Sequence, residues 1–89
     1  MVSKELSIQN EQGFHVRPAQ LFVQNASKFA SNIQVITEKG LKVDGKSILG
    51  LMTLGLAKGS KITIEASGTD EEEALDALAD LVESKFGEE

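Results

Sequence analysis

The hydrophobic period changes repeatedly along this chain, and the order of those changes restricts the fold more than any single residue does. Leu6 and Ile8 alternate with Glu5, Ser7 and Gln9, the period-two pattern of a half-buried strand. Asn10 to Gly13 supplies loop chemistry. From Val16 the spacing lengthens: Ala19, Phe22, Val23, Ala26 and Ala30 fall on one helical face, with Arg17, Leu21, Gln24 and Lys28 opposite. Ile33 to Thr37 and Leu41 to Val43 predict two more strands. Glu38-Lys39-Gly40 between them has hairpin-turn character, so the two are expected to pair antiparallel.

Ser47 is placed to cap a short helix through Ile48, Leu49, Leu51, Met52 and Leu54, apolar on nearly every side. Lys58-Gly59 ends it. Ile62, Ile64 and Ala66 then alternate with Thr63, Glu65 and Ser67 as a fourth strand. Thr69 or Asp70 caps a last helix, with Glu72 or Glu73 as capping-box partner. Its core stripe is Ala74, Leu75, Leu78, Leu81, Val82 and Phe86, stopped by Gly87. The order βαββαβα, with amphipathic helices, predicts an α+β open-faced sandwich: a four-stranded antiparallel sheet with three helices on one face. No repeat or linker divides residues 1–89, which are expected to form a single domain.

Charge is unevenly spread. Residues 70–89 hold nine of the fourteen acids and one base, a net −8, which leaves residues 1–69 at +3. There is no Trp or Tyr to interleave with a basic stripe, so direct nucleic-acid binding is not expected. Without cysteine there are neither disulfides nor thiolate metal ligands. No long apolar run and no basic leader precede the first strand, and the expected location is cytoplasmic.

Two phosphate-related signals remain. Residues Gly40 to Ser47 match G-x-x-x-x-G-K-S, the string of nucleotide-binding P-loops. In a P-loop the intervening residues wrap a phosphate, whereas Leu41, Lys42 and Val43 alternate as a strand after a turn glycine. The distal acid for magnesium would have to be Glu65, which falls on the solvent side of its strand, so nucleotide hydrolysis is set aside. Ser47 nonetheless stands where a helix begins, and helix starts favour phosphate.

The second signal is Gly13-Phe14-His15-Val16-Arg17-Pro18-Ala19. His15, the only histidine, stands where a glycine-containing loop meets a helix. With His15 as N-cap, residues 16 and 17 keep free N–H groups, Pro18 has none to lose, and Arg17 adds a fixed positive charge. The bias of a residue before proline away from helical geometry would instead move the cap to Arg17. Either start puts the imidazole at the positive end of the helix. A second positive charge is disfavoured there, which leaves a lone pair for nucleophilic attack on phosphorus. There is no second histidine or cysteine for a metal site, no Ser-His-Asp set and no acid–base carboxylate pair. No metal or cofactor is expected.

These residues, together with Lys46-Ser47-Ile48-Leu49-Gly50-Leu51-Met52-Thr53-Leu54-Gly55, resemble the HPr phosphocarrier family of the bacterial phosphoenolpyruvate-dependent sugar phosphotransferase system. The resemblance covers essentially the whole chain. It implies a carrier, not an enzyme with turnover of its own, that takes a phosphoryl group from phosphorylated enzyme I on His15 Nδ1 and passes it to the IIA domains of sugar permeases. Arg17 and the helix-start amides would stabilise the transferring group. It further implies regulatory phosphorylation of Ser47 by HPr kinase/phosphorylase, after which the protein binds the catabolite control protein, linking it to catabolite repression. Gly50 and Met52 resemble the Gram-positive version of that segment. A monomer is expected.

A partner surface is expected beside His15, formed by Leu21, Gln24, Lys28, Ile48, Leu49 and Met52 and ringed by Arg17, Lys28 and Lys46, with Leu51 and Leu54 turned to the core. Phe14 and Val16 depart from the family pattern, as does one residue added near Glu38 to Gly40, expected to be absorbed by the hairpin turn. The alternatives are a Crh-like regulator acting only through phosphoserine, which the presence of His15 disfavours, and a carrier of a nitrogen-related branch, which the Ser47 segment disfavours.

Overall fold

The computed structural model describes residues 1–8, 16–54 and 59–84. Four strands and three helices follow in the predicted order: β1 Val2–Ser7, α1 Val16–Ala26, β2 Asn32–Thr37, β3 Lys42–Asp44, α2 Ile48–Thr53, β4 Lys61–Ser67 and α3 Glu71–Glu83. The strands form one sheet in the order β1-β4-β2-β3, with every neighbouring pair antiparallel. The three helices cover one face, α3 lying across β1 and β4 and α1 contacting both α2 and α3. The other face is open and presents polar side chains such as Glu5, Gln34, Thr63 and Glu65.

Period-two alternation decides which face is covered. Leu6, Ile33, Val35, Ile62, Ile64 and Ala66 point inward and are buried, as is Ile8 just past β1. The helices meet them with Ala19, Phe22 and Ala26 from α1, Leu51 from α2, and Ala74, Leu75, Leu78, Ala79 and Val82 from α3. Leu81 packs against this cluster half-buried, whereas Ala79, absent from the predicted stripe, is buried. Phe86 and Gly87 lie outside the described residues. Lys4 pairs with Ile64 and therefore shares the inward face of an edge strand. It escapes burial by reaching out to Glu83 of α3 at 3.9 Å.

Two expectations about helix ends are corrected. The α1 helix stops at Ala26 and does not reach Ala30, which is exposed. Lys28 and Phe29 donate their N–H groups to Asn25 and Ala26 in tighter i to i−3 turns, and Phe29 folds down onto the core. What stops the helix is Asp70: its Oδ2 accepts from the Ala30 N–H at 2.9 Å, and its Oδ1 accepts from the Ser31 N–H at 3.0 Å and from the Ser31 hydroxyl. These bonds, the Ser31 hydroxyl first and the Ala30 amide next, hold the Asp70 carboxyl below its ordinary value.

Spent in this way, the Asp70 side chain makes no cap bond to α3. The helix start is closed instead by Glu71, whose Oε1 accepts from the Gly68 N–H at 3.1 Å and whose Oε2 pairs with the N-terminal ammonium at 3.1 Å. The capping-box partner is therefore neither Glu72 nor Glu73. The Gly68 amide, followed by the N-terminal ammonium, lowers the Glu71 carboxyl below its ordinary value. No helix among the described residues is long and apolar enough to cross a membrane.

Candidate functional site

The P-loop string resolves into three pieces. Gly40 sits at φ +85° and donates its N–H to the Thr37 carbonyl at 2.9 Å, closing the β2–β3 turn in a left-handed conformation that favours glycine. Lys42–Asp44 is a strand antiparallel to β2, and Glu65 lies on the open face, paired with Lys42 at 3.6 Å. A phosphate-wrapping loop and a buried metal acid are both absent from this segment.

Gly45, Lys46 and Ser47 carry the chain from that strand into α2, and each is fixed by a different contact. Gly45 is buried, and its N–H donates to the Ile33 carbonyl at 2.8 Å. Asp44 accepts twice: its Oδ1 from the Lys46 N–H at 2.9 Å and its carbonyl from the Ser47 N–H at 3.1 Å, an Asx-type turn. The Lys46 ammonium donates to the Phe29 carbonyl, just past α1, at 2.9 Å. Ser47 has extended backbone geometry and caps α2, its Oγ accepting from the Gly50 N–H at 3.1 Å.

Of the α2 side chains only Leu51 is fully buried, and Leu54 packs half-buried against the core. Leu49 is 77% exposed, Ile48 37% and Met52 39%, so these three form an apolar surface rather than core. The α1 helix packs beside α2 and shows Arg17, Gln24 and, just past its end, Lys28 to solvent. Leu21 is half-buried and packed on the core, contributing an edge of the surface rather than its centre. Among the described residues neither Arg17 nor Lys28 has an ion-pair partner. Lys46 differs, because its ammonium is engaged by Phe29.

His15 lies outside the described residues, together with Gly13 and Phe14. The α1 helix starts at Val16, so Arg17 stands inside its first turn, not at a cap, and Pro18, fully buried, fills a first-turn position where a missing N–H costs nothing. A shallow cavity of about 170 Å³ lies elsewhere, at the β2–β3 turn, lined by residues including Glu38, Leu41, Leu54 and Lys61. Sequence reasoning did not single out Asp44 or the Phe29 carbonyl. An Asp two residues before Lys46 is a legible turn signal, whereas nothing local marks a backbone carbonyl seventeen residues away.

The chain matches the family model described as the PTS HPr component phosphorylation site over residues 2–84. It is 46% identical over 88 residues to the phosphocarrier protein HPr of Neisseria meningitidis serogroup A, covering 99% of this chain and 98% of that protein. It is 45% identical over 85 residues to the HPr-like protein Crh of Halalkalibacterium halodurans, covering 96% of this chain and all of that one. The crystal structure of HPr-C-His from Thermoanaerobacter tengcongensis superposes with a TM-score of 0.94 at 53% identity, covering 100% of this chain and 99% of that one. With the sheet order, the helical layer and a match that spans the described fold, the chain belongs to the HPr phosphocarrier family of the phosphotransferase system.

Proposed function

We propose that the chain accepts a phosphoryl group on His15 from phosphorylated enzyme I and delivers it to IIA domains of sugar permeases, with Ser47 as a regulatory phosphorylation site. The observation that carries this reading is the exposed apolar surface of Ile48, Leu49 and Met52 on α2, beside an α1 that shows Arg17 to solvent and is followed by the exposed Lys28. A surface of that kind suits transient docking of acidic partner proteins: the cations raise the encounter rate, and the adaptable methionine fits more than one partner.

In each transfer the imidazole Nδ1 lone pair forms a bond to phosphorus as the bond from phosphorus to the donor breaks. Arg17 and the first amides of α1 offset the charge on the phosphoryl oxygens. Transfer to a IIA domain is the same step reversed, so the protein is a carrier and not a catalyst with its own turnover. HPr kinase/phosphorylase would place a phosphate from ATP on Ser47, producing the form that binds the catabolite control protein.

Incubation with phosphoenolpyruvate and enzyme I should give a single acid-labile phosphoryl adduct, lost in His15→Ala. An acid-stable adduct, or none, sinks the carrier reading. A second reading, a Crh-like regulator acting only through phosphoserine, rests on the similarity to the Crh protein. It predicts phosphorylation at Ser47 alone, and His15 is the residue that speaks against it.

A further inference from the structure

The Gly-Lys-Ser triplet of the P-loop string needs another explanation, since the residues before it form a turn and a strand and not a phosphate-wrapping loop. Gly45 has no room for a side chain, since a Cβ there would lie 2.5 Å from Ile33 Cγ2 and 3.2 Å from Phe22 Cε1. The chain therefore enters α2 pressed against the core. Lys46 then crosses to α1. Its backbone N–H is held by Asp44, its ammonium by the carbonyl of Phe29, and the next residue, Ser47, is the α2 cap. A lysine donating to a carbonyl just past a helix satisfies an acceptor that the helix itself leaves open.

We infer that Lys46 is a positioning residue: it ties the start of α2 to the end of α1 and so fixes Ser47 and the exposed Ile48, Leu49 and Met52 relative to α1. It is not a docking cation of the kind Arg17 and Lys28 supply. This rests on the proposed carrier function for its activity readout only. The two roles separate by salt dependence, because an exposed cation that meets an acidic partner changes the association rate and its salt slope, whereas a tether lowers the productive fraction equally at every ionic strength.

The experiment compares Lys46→Met, Lys46→Arg and Lys28→Met. Transfer from phosphorylated enzyme I is measured over a range of salt, and amide hydrogen exchange is followed at Gly50, whose N–H bonds to Ser47 Oγ. Lys28→Met is expected to flatten the salt slope. Lys46→Met should lower the rate several-fold with the wild-type slope and speed Gly50 exchange about tenfold, as local opening at the cap becomes easier. Lys46→Arg, which keeps a long cationic donor, should restore both. Lys46→Gln stands in if the methionine variant does not fold. A Lys46 variant that flattens the slope as Lys28→Met does, with Gly50 exchange unchanged, overturns the inference. A wild-type chain that accepts no phosphoryl group would sink the carrier reading instead, and the exchange data would still decide the role of Lys46.

Discussion

Replacing Gly45 by alanine sets two opposing effects against each other, and the structure decides between them. In an open backbone position, Gly→Ala stabilises by about 0.4–1 kcal/mol through the unfolded chain. At Gly45 the new methyl would lie 2.5 Å from Ile33 Cγ2, 3.1 Å from Ile33 Cβ and 3.2 Å from Phe22 Cε1. The first of these is roughly 1 Å inside the normal carbon–carbon separation. Neither neighbour can swing away, because Ile33 is 1% and Phe22 0% exposed. The backbone cannot retreat without stretching the bond from the Gly45 N–H to the Ile33 carbonyl, now 2.8 Å.

Overpacking of this kind costs about 1–3 kcal/mol, so with the unfolded-chain gain subtracted the net effect of Gly45→Ala is a loss centred on about 1.3 kcal/mol. For a domain of this size that lowers Tm by roughly 5–10 °C. Urea unfolding should show a lower midpoint with an unchanged m-value. Ile33→Leu removes the γ2 methyl while keeping volume, so the double variant should recover at least about 0.5 kcal/mol of the loss as a favourable coupling. A raised Tm in Gly45→Ala, or strict additivity in the double-mutant cycle, would refute the close approach at this position.

Leu49 and Leu51, two residues apart, should separate docking from stability. Leu51→Ala in the core costs about 2–5 kcal/mol in urea unfolding, whereas Leu49→Ser stays within about 0.5 kcal/mol and slows transfer from phosphorylated enzyme I. Ser47→Ala removes the acceptor for the Gly50 N–H and should cost about 1 kcal/mol, while Ser47→Asp keeps an acceptor and most of that stability, as unfolding midpoints will show. Asp70→Asn tests acid stability. Because the folded-state pKa is depressed, the wild-type contribution is complete above the unfolded value, near 3.8, and is lost as pH falls through the lower folded one. The variant should therefore be less stable at pH 7, and its midpoint should fall less than the wild type's below pH 3.8.

Much of this fold is legible because its elements obey one period each. The buried Ile62, Ile64 and Ala66 alternate without a break, and Ala74, Leu75, Leu78 and Val82 repeat as a helix must. Errors arose where a long-range bond overrode a local pattern. Ala30 continues the apolar spacing of α1, yet its N–H belongs to Asp70, forty residues on, and the helix ends four residues earlier. Asp70 is the N-cap residue of α3 as its position suggests, but its carboxylate is taken up by Ala30 and Ser31 and makes no cap bond, and the Glu71 side chain bonds back to Gly68 at the helix start. At the candidate surface, the outward set Ile48, Leu49 and Met52 could be anticipated because a six-residue helix cannot bury every side. That Lys46 is tied to Phe29 could not, since a backbone acceptor leaves no trace in the side-chain sequence.

The surface is therefore carried by an element that cannot hold itself. A helix of six residues is far below the length at which helices persist alone, and only one α2 side chain, Leu51, is fully buried. Packing against α1 and β3 holds it from the side, and its N-terminal end adds three further constraints: the Ser47 cap, the Asp44 turn and the Lys46 tether. A charge added at Ser47 acts on that same end and adjoins the exposed Ile48 and Leu49. Through one residue it can alter both how the apolar surface is presented and how an acidic partner approaches it.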